Sequence, residues 1–505
     1  MDVIKDILTF LADNVFGQVP ILIGLITLIG LILQRKRFED VFAGALRATI
    51  GVVILFIGIE IFSGGLTSFQ TVLASAMNTD PPKADRTLDG FLQDQGGTIA
   101  LVITVAFLLH VVIVRVFPAA RYLYLTGHLM FWISTVTVAS LVTVAPGSNQ
   151  LTLVLCGAGF VAAYWTLQPL WMRPLMRRVM PDDRFGFAHT SSLAALITGY
   201  AARPLGSREK HDTEKLKLPR QLSFFKDVNV STALIICVIM LIGVALADDR
   251  VVGEAAAAMD AKLSPWVWAL LVGLRFAGGI AILLFGVRMF LGEIVPAFKG
   301  FSDRVIPGTR PALDAPTVFP VAPTAVMLGF VASTVVFLAC LGVFAAAGWF
   351  TLVPPMIMLF FVGGAAGLFG NVVAGWRGAV LGGVVSGLIL AIGQAVTWGL
   401  FEKTAPELAT LADPDWYAIA WLLKAADPVL GTGTVWLVPV VALAATVASL
   451  LLVHRGEKRR AAAEVADGDE NGGTDGSTDG GTDDGTDGGT DGPEKTGGPV
   501  STDKS

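Results

Sequence analysis

Apolar residues run along this chain in long, nearly uncharged blocks separated by short charged ones. Eleven blocks lie at about 19–33, 42–66, 98–116, 122–144, 151–172, 230–247, 266–290, 324–347, 354–371, 379–399 and 433–453. Each approaches or exceeds the roughly 20 apolar residues that a helix needs to cross a bilayer. The pattern predicts an all-α polytopic membrane protein of about 11 spans, the first extending back through the mildly amphipathic Ile4–Phe16. One apolar run, Leu193 to Ala202, is only about half of a spanning length. It lies in Asp182–Gly206 (DDRFGFAHTSSLAALITGYAARPLG), with Arg173, Arg177 and Arg178 before it and Arg203, Arg208 and Lys210 after it. A segment that starts and ends on one side and carries His189, Thr190, Ser191 and Ser192 reads as a re-entrant hairpin. Such backbone survives at membrane depth only when buried in protein or lining a wet cavity, so the hairpin points to a transport site.

The loops carry a second pattern. Arg35-Lys36-Arg37, Arg115 with Arg121, the Arg173–Arg220 loop, Lys299 with Arg304, Arg377 and Arg455 through Arg460 fall on one side of the alternation. The loops at 67–97, 248–265 and 400–432 are acidic or mixed and fall on the other. The positive-inside rule then places the N-terminus outside and the C-terminus in the cytoplasm. Long loops follow spans 2 and 7, and short links join spans 3–5 and 8–10. Spans 1–5 and 6–10 therefore read as two units of inverted topology, about 19–225 and 226–432, with a final span at 433–453. Inverted repeats are a signature of alternating-access transporters, with the solute site near the midplane. A second echo, Arg178-Val-Met-Pro181-Asp-Asp-Arg184 against Arg304-Val-Ile-Pro307-Gly-Thr-Arg310, does not match that register and reads as coincidence.

Composition agrees with the pattern. The chain has 505 residues, 54% hydrophobic and 15% charged, with a mean hydropathy of +0.68. The net charge of −5 conceals a division. Residues 461–505, rich in Gly, Thr and Asp, hold 12 Asp and Glu and 2 Lys, a balance of −10 that leaves +5 on residues 1–460. With no apolar residues to bury in its repeats, this tail is expected to be disordered. The N-terminal MDVIKD lacks the basic region and cleavage site of a secretory signal. Cys156, Cys237 and Cys340 fall in expected spans without metal-ligand spacing. The sequence contains no Walker A loop, dinucleotide fingerprint or nucleophile elbow. No catalytic residue, cofactor, metal or nucleic-acid partner is expected.

Charged and polar residues inside spans are costly and so are candidates for function. Glu60, in FIGIEIFSGG, reads either as a hydroxyl acceptor or proton carrier, or as half of a structural ion pair. Arg275, Arg288 and Glu293 lie in or near span 7, where snorkelling and structural pairing suit Arg288 and Glu293. His128 opens span 4, and a helix there brings Tyr124 and Trp132 onto its face. Such an aromatic face beside a polar group suits a sugar-like ring, and aromatic helix packing explains it equally. Asp314 lies in a segment broken by Pro311, Pro316, Pro320 and Pro323, which suits a substrate or ion ligand. Gly363 with Gly367 and Gly383 with Gly387 read as close helix packing.

Several stretches, in order and at similar spacing, resemble one family. They are VPILIGLITLIGLILQRK, YLTGHLMFWIS, RFGFAHTSSLAALITGYAARPLG, KLKLPRQLSFFKDVNVSTA, GVRMFLGEIVPAFKGFSDRVIPG followed by Asp314, and GNVVAGWRGAVLGG. Over about Val19 to His454 the chain resembles the ascorbate-type integral membrane permeases, enzyme IIC, of the bacterial phosphoenolpyruvate phosphotransferase system. The resemblance implies a homodimer in the bacterial cell membrane, with core and dimer-forming domains and an elevator-like movement. It implies import of ascorbate or a related sugar acid or polyol, with phosphorylation by a separate cytoplasmic IIB subunit served by IIA. Carried over by position, the binding residues are His128, His189 and Asp314. The family's glutamine four residues after the first histidine is Trp132 here, and the glutamine after the second is Thr190. Both are expected to shape the pocket, with Glu60 replacing a small residue. An alternative on the same scaffold is a proton-coupled secondary transporter, with Glu60, Asp314 or a histidine carrying the proton.

Overall fold

A computed structural model describes residues 18–64, 66–79, 85–211, 213–216, 228–304, 306–430 and 434–471. The expected extension through Ile4–Phe16 and the tail beyond Asn471 lie outside the described residues. In chain order the elements are α1 (Val19–Leu33), α2 (Phe38–Gly64), α3 (Leu66–Ala76), α4 (Leu88–Val116), β1 (Tyr122–Tyr124), α5 (Gly127–Val144) and α6 (Gln150–Val179). There follow β2 (Gly186–Phe187), α7 (Ser192–Ala201), α8 (Arg208–His211), α9 (Val228–Leu246), α10 (Asp249–Met259) and α11 (Pro265–Arg304). The last are β3 (Arg310–Leu313), α12 (Pro323–Ala347), α13 (Met356–Ala374), α14 (Trp376–Phe401), α15 (Glu407–Thr410), α16 (Pro414–Leu430) and α17 (Thr434–Asn471). The described residues up to Val453 form one compact unit and those from His454 on another.

Among the described residues, 8 helices are long and apolar enough to cross a membrane: α2, α4, α5, α6, α12, α13, α14 and α17. The other expected spans coincide with α1, α9 and α11, of 15, 19 and 40 residues. Local chemistry sets several starts. Thr87 accepts a hydrogen bond from the Gly90 N–H at 3.2 Å to cap α4, and Asn149 accepts one from Thr152 at 2.9 Å to cap α6. The α12, α13 and α14 helices pack against one another through glycines. A methyl at Gly367 would lie 2.6 Å from the Ala325 carbonyl oxygen, and one at Gly387 as near that of Ser333. Backbones this close admit no side chain.

Elsewhere α11 packs along α2, α9 and α1, and α4 along α6. Arg47 of α2 donates to Glu293 of α11 at 2.5 Å, so Glu293 pairs across helices rather than with Arg288. Arg275 and Arg288 are exposed.

Two expectations change. The span expected over 122–144 begins as helix only at Gly127, because Tyr122–Tyr124 forms β1, so helical spacing does not place Tyr124 on the His128 face. The loops expected at 67–97 and 248–265 also hold helix, α3 with the start of α4 in the first and α10 in the second, and the segment 400–432, read as a loop, holds α15 and α16. Its Asp413-Pro414-Asp415 start is a helix-opening signal, with proline in the first turn and an acid beside it.

Candidate functional site

Three strands too short to recognise by periodicity organise the centre of the molecule. They form a parallel sheet in the order β1-β3-β2. Tyr122, Leu123 and Tyr124 lie opposite Arg310, Pro311 and Ala312, and Gly186 and Phe187 lie opposite Ala312 and Leu313. The pairing continues just past the strands: Leu125 N–H donates to Ala312 at 3.2 Å and Ala188 N–H to Leu313 at 2.8 Å. The Thr126 hydroxyl donates to the Ala188 carbonyl at 2.8 Å. Because all three strands run the same way, one end of the sheet delivers His128, Asp314 and His189 to the same place.

There the Asp314 carboxylate lies between the two rings. His128 Nε2 is 3.6 Å from Oδ2, and His189 Nε2 is 3.8 Å from Oδ1. The backbone N–H of Ala315 donates to Oδ1 at 2.7 Å and orients it. Asp314 and His189 are buried. His189 Nδ1 accepts from the Ser191 N–H at 3.0 Å, so in the neutral ring the proton sits on Nε2 and faces Asp314. For the same reason the 3.9 Å approach of Nδ1 to Asp413 is not a hydrogen bond.

Two short helices meet end to end beside this triad. The N-terminus of α7, opening at Ser192, faces the N-terminus of α16, opening at Pro414. Asp415 receives the Leu193 N–H at 2.7 Å, the Ser192 hydroxyl at 2.5 Å and the Tyr164 hydroxyl at 2.6 Å. It therefore caps α7 from across the fold, where a helix N-terminus favours a carboxylate. The Asp415 N–H donates to the Thr190 carbonyl at 3.0 Å, and the Thr190 hydroxyl donates to Asp413. Gln168 on α6 donates to the His189 carbonyl at 3.3 Å. Trp132 stacks on Trp416 with ring centroids 5.7 Å apart, and Tyr124 stacks on Trp165 at 6.0 Å.

Seven buried polar atoms on these residues have no partner among the described residues: Tyr124 Oη, His128 Nδ1, Trp165 Nε1, Gln168 Oε1, Ser191 Oγ, Asp413 Oδ1 and Trp416 Nε1. An unmet buried group costs about 1–3 kcal/mol. Together they make a buried cluster of unmet polar groups, flanked by the stacked Trp132–Trp416 pair.

The structure thus brings together His128, His189, Asp314, Thr190 and Trp132. Glu60 lies exposed on α2 and takes no part in these contacts. Asp413, Asp415, Gln168 and Tyr164 belong to the site and escaped the sequence reading. Asp413-Pro414-Asp415 was legible as a helix start, and nothing local shows that this start faces another.

Long apolar helices surrounding a buried polar cluster, built where α7 and α16 meet, point to a multi-pass membrane protein of the permease class. A family model described as "PTS system sugar-specific permease component" matches residues 14–415, and the chain belongs to that family. A curated relative, the ascorbate-specific PTS system EIIC component of Mycoplasma pneumoniae, is 26% identical over 422 residues. The match covers 73% of this chain and 63% of that relative, so the chain spans just under two thirds of its length.

Proposed function

We propose that this chain imports ascorbate or a related sugar acid or polyol, binding it between His128, His189 and Asp314, with Trp132 and Thr190 shaping the pocket. The observation that carries the reading is the set of unpartnered buried polar atoms around the Asp314–histidine triad, where α7 and α16 meet. Hydroxyl groups both donate and accept, and so match a site that mixes carboxylate acceptors, ambivalent Ser and Tyr hydroxyls and an indole donor.

In this reading the N-terminus is outside and the acidic tail cytoplasmic. Two inverted five-helix units, about 19–225 and 226–432, precede the final span, and residues 1–460 form the permease proper. Two copies form a homodimer, and an elevator-type movement carries the site across the bilayer. Phosphorylation is the work of a separate IIB subunit charged by IIA. Asp415, tying α7 to α16, supports movement of both short helices as one piece. Glu60, exposed on α2, has a place in this reading only where a partner copy or the solute reaches it.

Uptake into proteoliposomes tests the reading. Phosphorylated product is expected only with phosphoenolpyruvate and the soluble phosphotransferase components. Accumulation driven by a pH gradient alone overturns it in favour of proton coupling. That second reading draws on Asp314, Asp413 and Asp415, three buried carboxyl groups at one site.

A further inference from the structure

The far end of the same sheet carries different chemistry. Tyr122 opens β1, Arg310 opens β3 directly opposite it, and Asp183 stands three residues before β2. Four side chains converge on the Asp183 carboxylate. The Tyr122 hydroxyl donates to Oδ1, Arg177 Nη2 donates to Oδ2 at 3.1 Å, Arg173 Nη2 to the same oxygen at 3.3 Å, and Arg310 Nη1 pairs with it. Asp183 holds a left-handed backbone, φ 54°, which a non-glycine residue rarely adopts. Burial alone would raise its pKa, but the Tyr122 and Arg177 hydrogen bonds and the charges of Arg173 and Arg310 bring it below the usual value. The carboxylate is ionised, and both of its oxygens are engaged.

Three guanidinium charges meet one carboxylate charge, and they are not equally placed. The Asp183 side chain is 9% exposed, whereas Arg177 and Arg310 are 44% and 31% exposed. The anion is inside and two cations are outside. Arg177 meets Asp183 through Nη2 and Arg310 through Nη1, so each fork has further N–H groups for an incoming oxyanion. Planar guanidinium forks recognise phosphate oxygens bidentately, which a lysine cannot do.

We propose that Arg177 and Arg310, held by Asp183, form a binding site for a phosphate-type oxyanion, carried by a soluble phosphate compound or by a lipid headgroup. Arg310 and Asp314 stand four residues apart along and just past β3, roughly 13 Å at about 3.3 Å per residue, so this site is separate from the Asp314 triad. It stands whether or not the proposed solute is correct, because its test does not involve transport.

Purified full-length protein in an uncharged detergent is melted in sodium phosphate and in sodium chloride at matched pH and ionic strength. Phosphate is expected to raise Tm where chloride does not. Arg177→Gln should weaken the apparent phosphate affinity about tenfold, equivalent to ~1.4 kcal/mol, and Arg177→Lys should recover only part of it. Melting in chloride reads the fold of each variant independently. Identical melting of the unsubstituted protein in the two salts overturns the proposal, as does an unchanged phosphate affinity in a folded Arg177→Gln protein. Repeating the titration in nanodiscs identifies the source. Competition by phosphatidylglycerol and not by phosphatidylcholine assigns the site to a lipid headgroup, and phosphate binding equal in both assigns it to a soluble phosphate compound.

Discussion

The two ends of one small sheet carry opposite chemistry. At the C-terminal end, Asp314, with Asp413 and Asp415 close by, is buried among histidines, tyrosines and tryptophans, and no arginine or lysine pairs with it among the described residues. At the N-terminal end, one aspartate is surrounded by three arginines, two of them reaching solvent. The difference shows what each carboxylate does. Asp183 is saturated by charge and holds structure. Asp314 holds one backbone donor, the Ala315 N–H at 2.7 Å, and its two histidine rings stand 3.6 and 3.8 Å away, beyond ordinary hydrogen-bond length. Asp415 is a third kind, saturated by neutral donors and serving as a cap.

The largest effect should come from Asp415→Ala. It strips the Leu193 N–H, Ser192 and Tyr164 of their acceptor at once, and should lower stability by about 3 kcal/mol, read as a fall in melting temperature in detergent. Asp314→Ala should instead leave the fold melting near the unsubstituted value. It should weaken binding of the transported solute by about 3 kcal/mol, roughly a hundredfold, as measured by calorimetry, and His189→Ala should do the same. Loss of stability without loss of affinity would reverse the two assignments.

Asp183→Asn should destabilise the fold at neutral pH, an effect smaller than that of Asp415→Ala. Because the folded pKa is lowered, this stabilisation is complete above the unfolded value, about 3.9. It is lost as pH falls through the folded value. Melting curves of the two proteins should differ at pH 7 and converge once pH falls below the folded value. The smallest effect is expected at Glu60. This exposed carboxylate touches neither end of the sheet, and Glu60→Gln should change stability by less than about 0.5 kcal/mol. A large loss of uptake there would extend the solute site beyond the sheet.

The helices and three residues of the central cluster were legible for different reasons. Long apolar blocks announce spanning helices because lipid tolerates little else. His128, His189 and Asp314 stood out as polar residues in apolar or proline-broken surroundings. The sheet that gathers them was not legible, since strands of two to four residues carry no measurable alternation. Asp413 and Asp415 were hidden for the opposite reason, since acidic residues in an inter-span segment ordinarily face water. The Arg178–Arg184 and Arg304–Arg310 echo read as coincidence, yet the structure sets those segments side by side, leading into β2 and β3 with Asp183 against Arg310. Pairing between distant stretches is a property of the whole topology, and one stretch does not reveal it.

The cap on α7 has a consequence for how the protein is made. Leu193 and Asp415 are 222 residues apart. At about 5–20 residues per second, a ribosome takes roughly 10–40 s to supply the carboxylate after the helix it caps. For that interval α7 lacks the carboxylate that caps it in the finished fold. The Asp182–Gly206 segment therefore acquires its final shape late in synthesis, and a chain arrested before Asp413 should be a preferred target for membrane proteolysis.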